Sequence, residues 1–164
     1  IITPKPSSAF DLEHGFAGIC KFFPEGKAQL VEWEELIWNR LYPEMRGRFP
    51  VIFDDECLST GGQIYELLMG HDRMIADLRP LAFRKLGIES MGLACHPYDI
   101  CTALIAQEAG VILEKPNGAP LDYPLDATFP VAWVGYANRE LAEKLRPVFQ
   151  EIDESVTLKA SSNV

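Results

Sequence analysis

Asp99 is the side chain of this sequence with the clearest potential for chemistry. It lies near the start of the stretch "CHPYDICTALIAQEAGVIL", where Pro97 predicts the first turn of a helix. A carboxylate in that turn is stabilised by exposed backbone N–H groups and by the helix dipole, so one interpretation is that Asp99 only starts the helix. The other is that it binds a metal ion such as Mg²⁺, which requires several oxygen ligands to converge on one point.

Three other groups of polar residues give weaker signals. The acidic run 54–56 is the densest group of carboxylates, but adjacent side chains in an extended turn point in different directions, which favours a solvated loop over a metal site. The sequence "STGG" at 59–62 resembles a phosphate-binding loop only loosely, because it lacks a P-loop lysine and the GxGxxG spacing. His71 and His96 have no Ser or Asp partner at a recognised motif spacing, which disfavours a role as catalytic base.

The balance of charge excludes some classes of partner. The 164 residues carry 24 acidic and 15 basic side chains, a formal net charge of −9. This field repels nucleic acid and anionic membranes, but a bound divalent cation would still admit a phosphate substrate. The cysteines include no CxxC pair, and no signal sequence or apolar run of about 18–20 residues is present. We therefore expect free thiols in a cytoplasmic protein.

Hydrophobic periodicity and turn residues predict alternating helices and strands. The predicted helices are 28–42, 59–69, 97–109 and 138–152, and the predicted strands are 50–53, 73–78, 111–114 and 129–137. Residues 81–94 are ambiguous and allow a further strand at 88–94. Because the strands are continuous apolar runs, we expect an α/β fold whose mixed sheet is covered by helices on both faces.

The beginning of the chain has the composition of a linker. The stretch "IITPKPSSAF" places prolines and serines before the first apolar pattern. We therefore predict an irregular lead-in over residues 1–27 and a single α/β domain over 28–164. The first residue is not Met, so we interpret the chain as a piece of a longer polypeptide.

Three segments, taken in order, resemble the C-terminal half of the inositol monophosphatase family of Mg²⁺-dependent, lithium-sensitive phosphatases. They are "STGGQIYELLMGHDRMIADL", "ESMGLACHPYDICTALIAQEAGVILEKPNGAPLD" and "VGYANRELAEKL", and together they span about residues 57–152. The most specific element is Asp99 followed by Glu-Ala-Gly at 108–110. The resemblance implies that Asp99 is a ligand of catalytic Mg²⁺. It also implies that Gly61 and Gln63 lie against the substrate, and that Glu89 contacts substrate hydroxyls.

The sequence departs from the family pattern in several places. Tyr98 stands where the family has Trp, Gln63 replaces a small residue, and the junction before Asp99 is about two residues longer. These differences affect the identity of the substrate and the assignment of Glu89 to substrate hydroxyls more than they affect metal binding. The main metal motifs of the family, Asp-Pro-x-Asp-Gly-Thr and an upstream Glu-Glu pair, belong to its N-terminal half and do not occur in this sequence.

The resemblance predicts the C-terminal domain of a Mg²⁺-dependent phosphomonoesterase that hydrolyses inositol phosphate or a related sugar or small-molecule phosphate. Its Mg²⁺ would be bound mainly by the half that this sequence lacks, so the chain alone would be an inactive part of a hydrolase. The expected partners are the phosphate substrate, the N-terminal domain and a second copy in a homodimer, with no nucleic acid or membrane. The alternative is a non-catalytic binding or assembly module that keeps the phosphatase-like fold.

Overall fold

A computed structural model describes residues 3–22, 25–45, 52–89 and 94–162 of the chain. The described elements, in chain order, are β1 (Gly15–Ile19), α1 (Lys27–Leu41), a short 3-10 helix (Pro43–Met45), β2 (Ile52–Phe53), α2 (Thr60–Leu68), β3 (Asp72–Asp77), α3 (Arg79–Leu86), α4 (Ala103–Glu108), β4 (Ile112–Glu114), β5 (Trp133–Tyr136) and α5 (Arg139–Ser162).

The strands form one mixed sheet in the order β2-β1-β3-β5-β4. Strand β1 pairs in parallel with β2 and β3, whereas β5 is antiparallel to both β3 and β4. The carboxyl ends of β2, β1 and β3 therefore lie at the same edge of the sheet. At that edge the chain continues into the loops that lead to α2 and α3.

Helices cover both faces of the sheet, as predicted from the apolar strands. On one face, α1, α3 and α5 pack around Met74 and Ala76 of β3. On the other, α2 and α4 pack around Ile75 of β3 and Trp133 of β5. The alternation of side chains along a strand sends neighbouring residues of β3 to opposite cores, so a fully buried strand is apolar throughout.

The predicted helices with clear start signals are confirmed. Helix α1 buries Leu30, Trp33 and Ile37 at the expected helical spacing. Helix α2 begins after Ser59, whose side chain accepts a hydrogen bond from the Gly62 N–H (3.1 Å). Helix α5 follows Asn138, whose side-chain oxygen accepts a hydrogen bond from the Leu141 N–H (3.0 Å).

The prediction of an irregular lead-in over residues 1–27 is wrong for its second half. Strand β1 lies inside that range, paired on both sides, and Leu12 is 1% exposed in the core. A five-residue strand that contains Gly15 and Gly18 has low β propensity and gives little periodic signal. The α/β domain therefore begins well before residue 28.

The predicted helix from Pro97 is also shorter than expected. Residues 97–102 form turns, and α4 begins only at Ala103. The Asp99 N–H donates to the His96 carbonyl (2.9 Å), which closes a local turn ahead of the helix. In the ambiguous region α3 occupies Arg79–Leu86, and the possible strand at 88–94 falls largely on 90–93, outside the described residues.

None of the helices in the described part of the chain has both the length and the apolar composition that a membrane crossing requires.

Candidate functional site

A surface pocket of about 290 Å³ lies where α2 begins, next to the residues that follow β3. In open α/β sheets, ligands bind beyond the carboxyl ends of the strands, and this pocket lies at such an edge. Asp99 and Gly61 lie together in its wall. The lining residues are Leu58, Ser59, Thr60, Gly61, Arg79, Ala94, Cys95, His96, Tyr98 and Asp99.

The turn that ends at Asp99 presents three polar side chains to the pocket. The Asp99 carboxylate accepts a hydrogen bond from the His96 backbone N–H (2.9 Å), and the same oxygen lies 3.6 Å from His96 Nδ1. The rings of His96 and Tyr98 are parallel, with centroids 5.4 Å apart. The Asp99 side chain is 35% exposed. Asp99 therefore holds its own turn together and also keeps carboxylate surface open to a ligand.

The start of α2 forms the opposite side of the pocket. Gly61 has open space where a side chain would be, since a Cβ built there meets nothing within 4 Å. The first N–H groups of a helix have no intrahelical acceptor, and the helix dipole adds partial positive charge at this end. Thr60, the first residue of α2, is buried in the same wall as Cys95. This end of α2 can therefore accept oxygen atoms of an anion.

Arg79 contributes a buried guanidinium group, paired with Asp77, to the same wall. Its Nε donates to Asp77 Oδ1 (2.8 Å), its terminal nitrogen bonds to Oδ2, and its backbone N–H donates to Asp77 Oδ1 (3.2 Å). Burial lowers the pKa of the Arg79 guanidinium, but the Asp77 carboxylate outweighs burial and holds this pKa above its usual value. The fork-shaped contact fixes the plane of Arg79 at the pocket.

The Cys95 thiol, which also lies in this wall, is inert as a nucleophile. Burial raises the pKa of the Cys95 thiol to about 12. The thiolate is the reactive form of cysteine, so Cys95 stays protonated at neutral pH. The arrangement therefore does not support Cys-based covalent catalysis, and its chemistry is the binding and orientation of a polar ligand.

The donor set does not make a metal centre by itself. Asp99 is the one carboxylate in the described lining, and it shares the pocket with the cationic Arg79. Within the described ranges, no group of three or more His, Cys, Asp or Glu side chains is placed to hold a metal ion. Mg²⁺ prefers octahedral coordination by several oxygens, so these residues do not fit a complete Mg²⁺ site.

The other sequence-predicted substrate residues lie away from the pocket lining. Gln63 is 2% exposed, and its amide donates to Cys20 Sγ (3.0 Å) and to the Cys57 carbonyl (2.8 Å). Glu89 is exposed and is the last described residue before the gap at 90–93. Of the four predicted site residues, Gly61 and Asp99 are therefore brought together, and Gln63 packs in the interior.

The acidic run 54–56 is organised by a lysine. Lys21 Nζ lies 2.8 Å from Glu34 Oε1, 2.8 Å from Asp54 Oδ2 and 3.8 Å from Glu56 Oε1. It also donates to the Ile19 carbonyl at the end of β1 (3.0 Å). The carboxylates therefore surround an ammonium group, so the loop is more than a solvated turn.

Sequence reasoning missed several residues of this wall. Arg79 has a local signal, since an Asp-x-Arg spacing directly after an apolar strand allows the two charges to pair. Cys95 has none, because its position depends on a residue distant in the sequence: the Cys95 carbonyl accepts a hydrogen bond from the Val131 N–H (2.7 Å), two residues before β5. His96 lies in the pocket lining, although the sequence around it matches no recognised motif for a catalytic base.

The fold and the pocket together define a class: an α/β domain with a polar pocket at the carboxyl edge of a mixed sheet. The structure is similar to a hypothetical protein from Pyrococcus horikoshii with similarities to inositol-1 monophosphatase (TM-score 0.53, 16% identity, 88% of this chain and 46% of that chain). It is also similar to a Thermotoga maritima IMPase, an inositol monophosphatase (TM-score 0.53, 15% identity, 93% of this chain and 47% of that chain).

This chain therefore has the fold of inositol monophosphatase-like proteins and spans about half the length of those two structures. No protein-family model matches the sequence, and no curated protein sequence is significantly similar to it. The likeness at this level of identity establishes the fold, in agreement with the resemblance found in the sequence.

Proposed function

We propose that this chain is the C-terminal domain of an inositol monophosphatase-type phosphomonoesterase and forms one wall of its active site. The observation that carries the proposal is the single pocket that gathers Asp99, Arg79 and the N-terminus of α2. Helix N-termini and guanidinium groups are the protein groups best suited to phosphate oxygens. The order of motifs in the sequence supports the same assignment.

In this proposal the chain binds and orients the phosphate ester. Backbone N–H groups at the start of α2 donate to phosphate oxygens, and Gly61 leaves the space that the phosphate needs. The guanidinium of Arg79, held in place by its ion pair with Asp77, lies at the same wall. Asp99, on a turn fixed by His96, faces the ligand from the other side. The substrate would be inositol phosphate or a related sugar phosphate.

The complete protein would use Mg²⁺, with most ligands provided by residues outside this chain. Asp99 would add one carboxylate, and the bound ion would neutralise charge on the phosphate. The family resemblance also leads us to propose an N-terminal domain as the covalent partner, a homodimer and a cytoplasmic location.

The test is phosphate release from inositol monophosphate by the full-length protein in the presence of Mg²⁺. Asp99→Asn should lower kcat/KM by at least about 100-fold, the scale of removing one transition-state contact. Asn retains an oxygen to accept the His96 N–H, so the melting temperature should change by no more than about 2 °C. The matched control is Glu35→Gln on exposed α1 surface. Wild-type turnover in Asp99→Asn would exclude the assignment.

A second candidate function is a binding or assembly module without catalysis. It is favoured by the described lining, in which Asp99 is the one carboxylate and Arg79 is held by Asp77 outside that lining. This module would bind inositol monophosphate without releasing phosphate, with or without Mg²⁺. Calorimetric titration alongside the turnover assay separates the two functions, because only the enzyme combines binding with Mg²⁺-dependent phosphate release.

A further inference from the structure

A second pocket, of about 270 Å³, lies between α3, α5 and the loop that joins β4 to β5. We call it the α3–α5 pocket. It has no lining residue in common with the pocket around Asp99. Its volume is near the lower end of the range for small-molecule sites. The function proposed above makes no use of it.

One wall of the α3–α5 pocket is aromatic and fixed in place. The rings of Tyr123 and Phe129 lie 5.7 Å apart at 46°, a tilted aromatic pair. The Tyr123 hydroxyl donates to the Ala132 carbonyl (2.7 Å), next to β5. Burial raises the pKa of Tyr123 to about 12, so the phenol remains neutral. These two tilted rings offer an apolar aromatic surface to a planar ring of a ligand.

The charged residues of this lining are two cations and one carboxylate. Lys115 Nζ lies 4.5 Å from the Tyr123 ring centroid and donates to the Asp122 carbonyl (2.6 Å), an acceptor that leaves its charge uncancelled. Burial raises the pKa of the Asp153 carboxyl, and Arg84 acts in the opposite direction, so Arg84 and Asp153 partly neutralise each other. A surplus of positive charge therefore borders the aromatic wall in a chain with a net charge of −9.

We propose that the α3–α5 pocket binds a small molecule that joins a planar ring to an anionic group. The ring lies against Tyr123 and Phe129, and the anionic group lies towards Lys115 and Arg84. The fixed ring geometry lowers the entropy lost on binding. The surrounding backbone is also held in place, since the Lys115 N–H donates to the Ala119 carbonyl (2.8 Å) in the loop and Gln150 of α5 donates to the Asn117 carbonyl (2.9 Å).

The probe for this proposal is 1-anilinonaphthalene-8-sulfonate, an aromatic anion whose fluorescence rises on binding. With the full chain we expect one saturable site, bound at least about 5-fold more tightly than the neutral analogue N-phenyl-1-naphthylamine, a difference of about 1 kcal/mol. Amide NMR shifts should change at Asn117 and Thr157 and stay unchanged at Gly61. Shifts centred on Gly61, equal affinity for the neutral analogue, or no saturable binding would overturn the proposal.

Variants locate the site independently of the probe. Arg84→Met should weaken sulfonate binding at least about 5-fold, whereas Lys85→Met, the next residue on α3, should leave it unchanged because Lys85 lies over the Trp33 ring (5.3 Å). Phe129→Leu should weaken the binding of both the sulfonate and the neutral analogue. It tests the aromatic wall without changing Tyr123, whose hydroxyl bonds to the Ala132 carbonyl. Asp99→Asn should bind the sulfonate like wild type, which separates this proposal from the phosphatase assignment. Unchanged affinity in folded Arg84→Met and Phe129→Leu would refute it.

Discussion

Replacing Lys21 with methionine tests whether a lysine holds the acidic edge of the sheet together. Lys21→Met removes the ammonium group and keeps the aliphatic stem in the core. Both Lys21 and Glu34 are largely buried, with side-chain exposures of 8% and 14%. Asp54 is 44% exposed, so its contact with Lys21 is screened by solvent. The variant therefore leaves one buried carboxylate, that of Glu34, without its main counter-charge.

The expected loss of stability follows from that difference in burial. Removing one partner of a buried ion pair costs about 3–5 kcal/mol, whereas an exposed pair contributes about 0–1 kcal/mol. Glu34 retains a hydrogen bond from the Ile19 N–H (3.3 Å), and water can reach Asp54. We therefore expect Lys21→Met to lower the free energy of unfolding by about 2–3 kcal/mol at neutral pH, between the values for an exposed and a buried pair and nearer the buried one.

The loss should depend on pH in a defined direction. Burial raises the pKa of Glu34 even though Lys21 lowers it, so without Lys21 this pKa rises further. A carboxyl with a raised folded-state pKa contributes stability that is present below its unfolded value and lost as pH rises through the folded value. Burial lowers the pKa of Lys21, but its carboxylate partners outweigh burial and keep the wild-type ammonium charged throughout this range. The deficit should thus be largest at pH 7–8 and shrink near pH 4.

The measurement is urea unfolding at pH 7.5 and pH 4.5, followed by circular dichroism. Lys144→Met is the matched control, because this exposed lysine lies over the Tyr42 ring (5.7 Å) and forms no ion pair with another described residue. It should change stability by no more than about 0.5 kcal/mol. A Lys21→Met deficit as small as the control's, or one that stays constant between the two pH values, would refute the reasoning.

Two further outcomes follow from backbone conformation and thiol burial. Gly70→Ala should lower the free energy of unfolding by about 1–3 kcal/mol in thermal melts, because Gly70 has φ +78° and a Cβ there would lie 2.5 Å from the Lys5 carbonyl oxygen. Gly61→Ala should cost less, because a Cβ at Gly61 meets open space. Equal losses of stability in the two variants would contradict this reasoning. Iodoacetamide at pH 8 should modify exposed Cys101 well before buried Cys95, because burial raises the pKa of Cys95 to about 12. Mass spectrometry of timed digests measures the labelling of each cysteine. Faster labelling of Cys95 would contradict the burial argument.

The sequence predicts those elements whose signals are local. Helix α2 carries its own cap in Ser59, and α5 carries Asn138, so both starts can be read without knowledge of tertiary contacts. Strand β1 is stabilised by neighbours on both sides, and its glycines weaken the periodic pattern that would reveal it. The turns at 97–102 likewise depend on the closed loop between His96 and Asp99, which competes with helix formation from Pro97.

The candidate site was predicted only in part because it is assembled from separate elements. Family resemblance identifies Asp99 and Gly61, and the fold brings them to one pocket. The same resemblance predicts Gln63 against the substrate, and in the structure this long amide donates to Cys20 Sγ and to the Cys57 carbonyl. Arg79 enters the pocket because β3 ends at Asp77, a boundary that periodicity fixes to within a residue or two.

The charged groups at the carboxyl edge of the sheet are paired within the chain. Lys21 lies among the carboxylates of Glu34, Asp54 and Glu56, and Arg79 pairs with Asp77 at the end of β3. The two most buried of these carboxylates, Glu34 and Asp77, therefore each lie against a cation of the same chain, whereas the more exposed Asp54 and Glu56 share the single charge of Lys21 with Glu34. Asp99 differs, because its nearest basic group is the imidazole of His96 at 3.6 Å. It is thus the carboxylate of the pocket best placed to interact with a bound ligand or ion, which is why Asp99→Asn is the decisive variant for function and Lys21→Met for the fold.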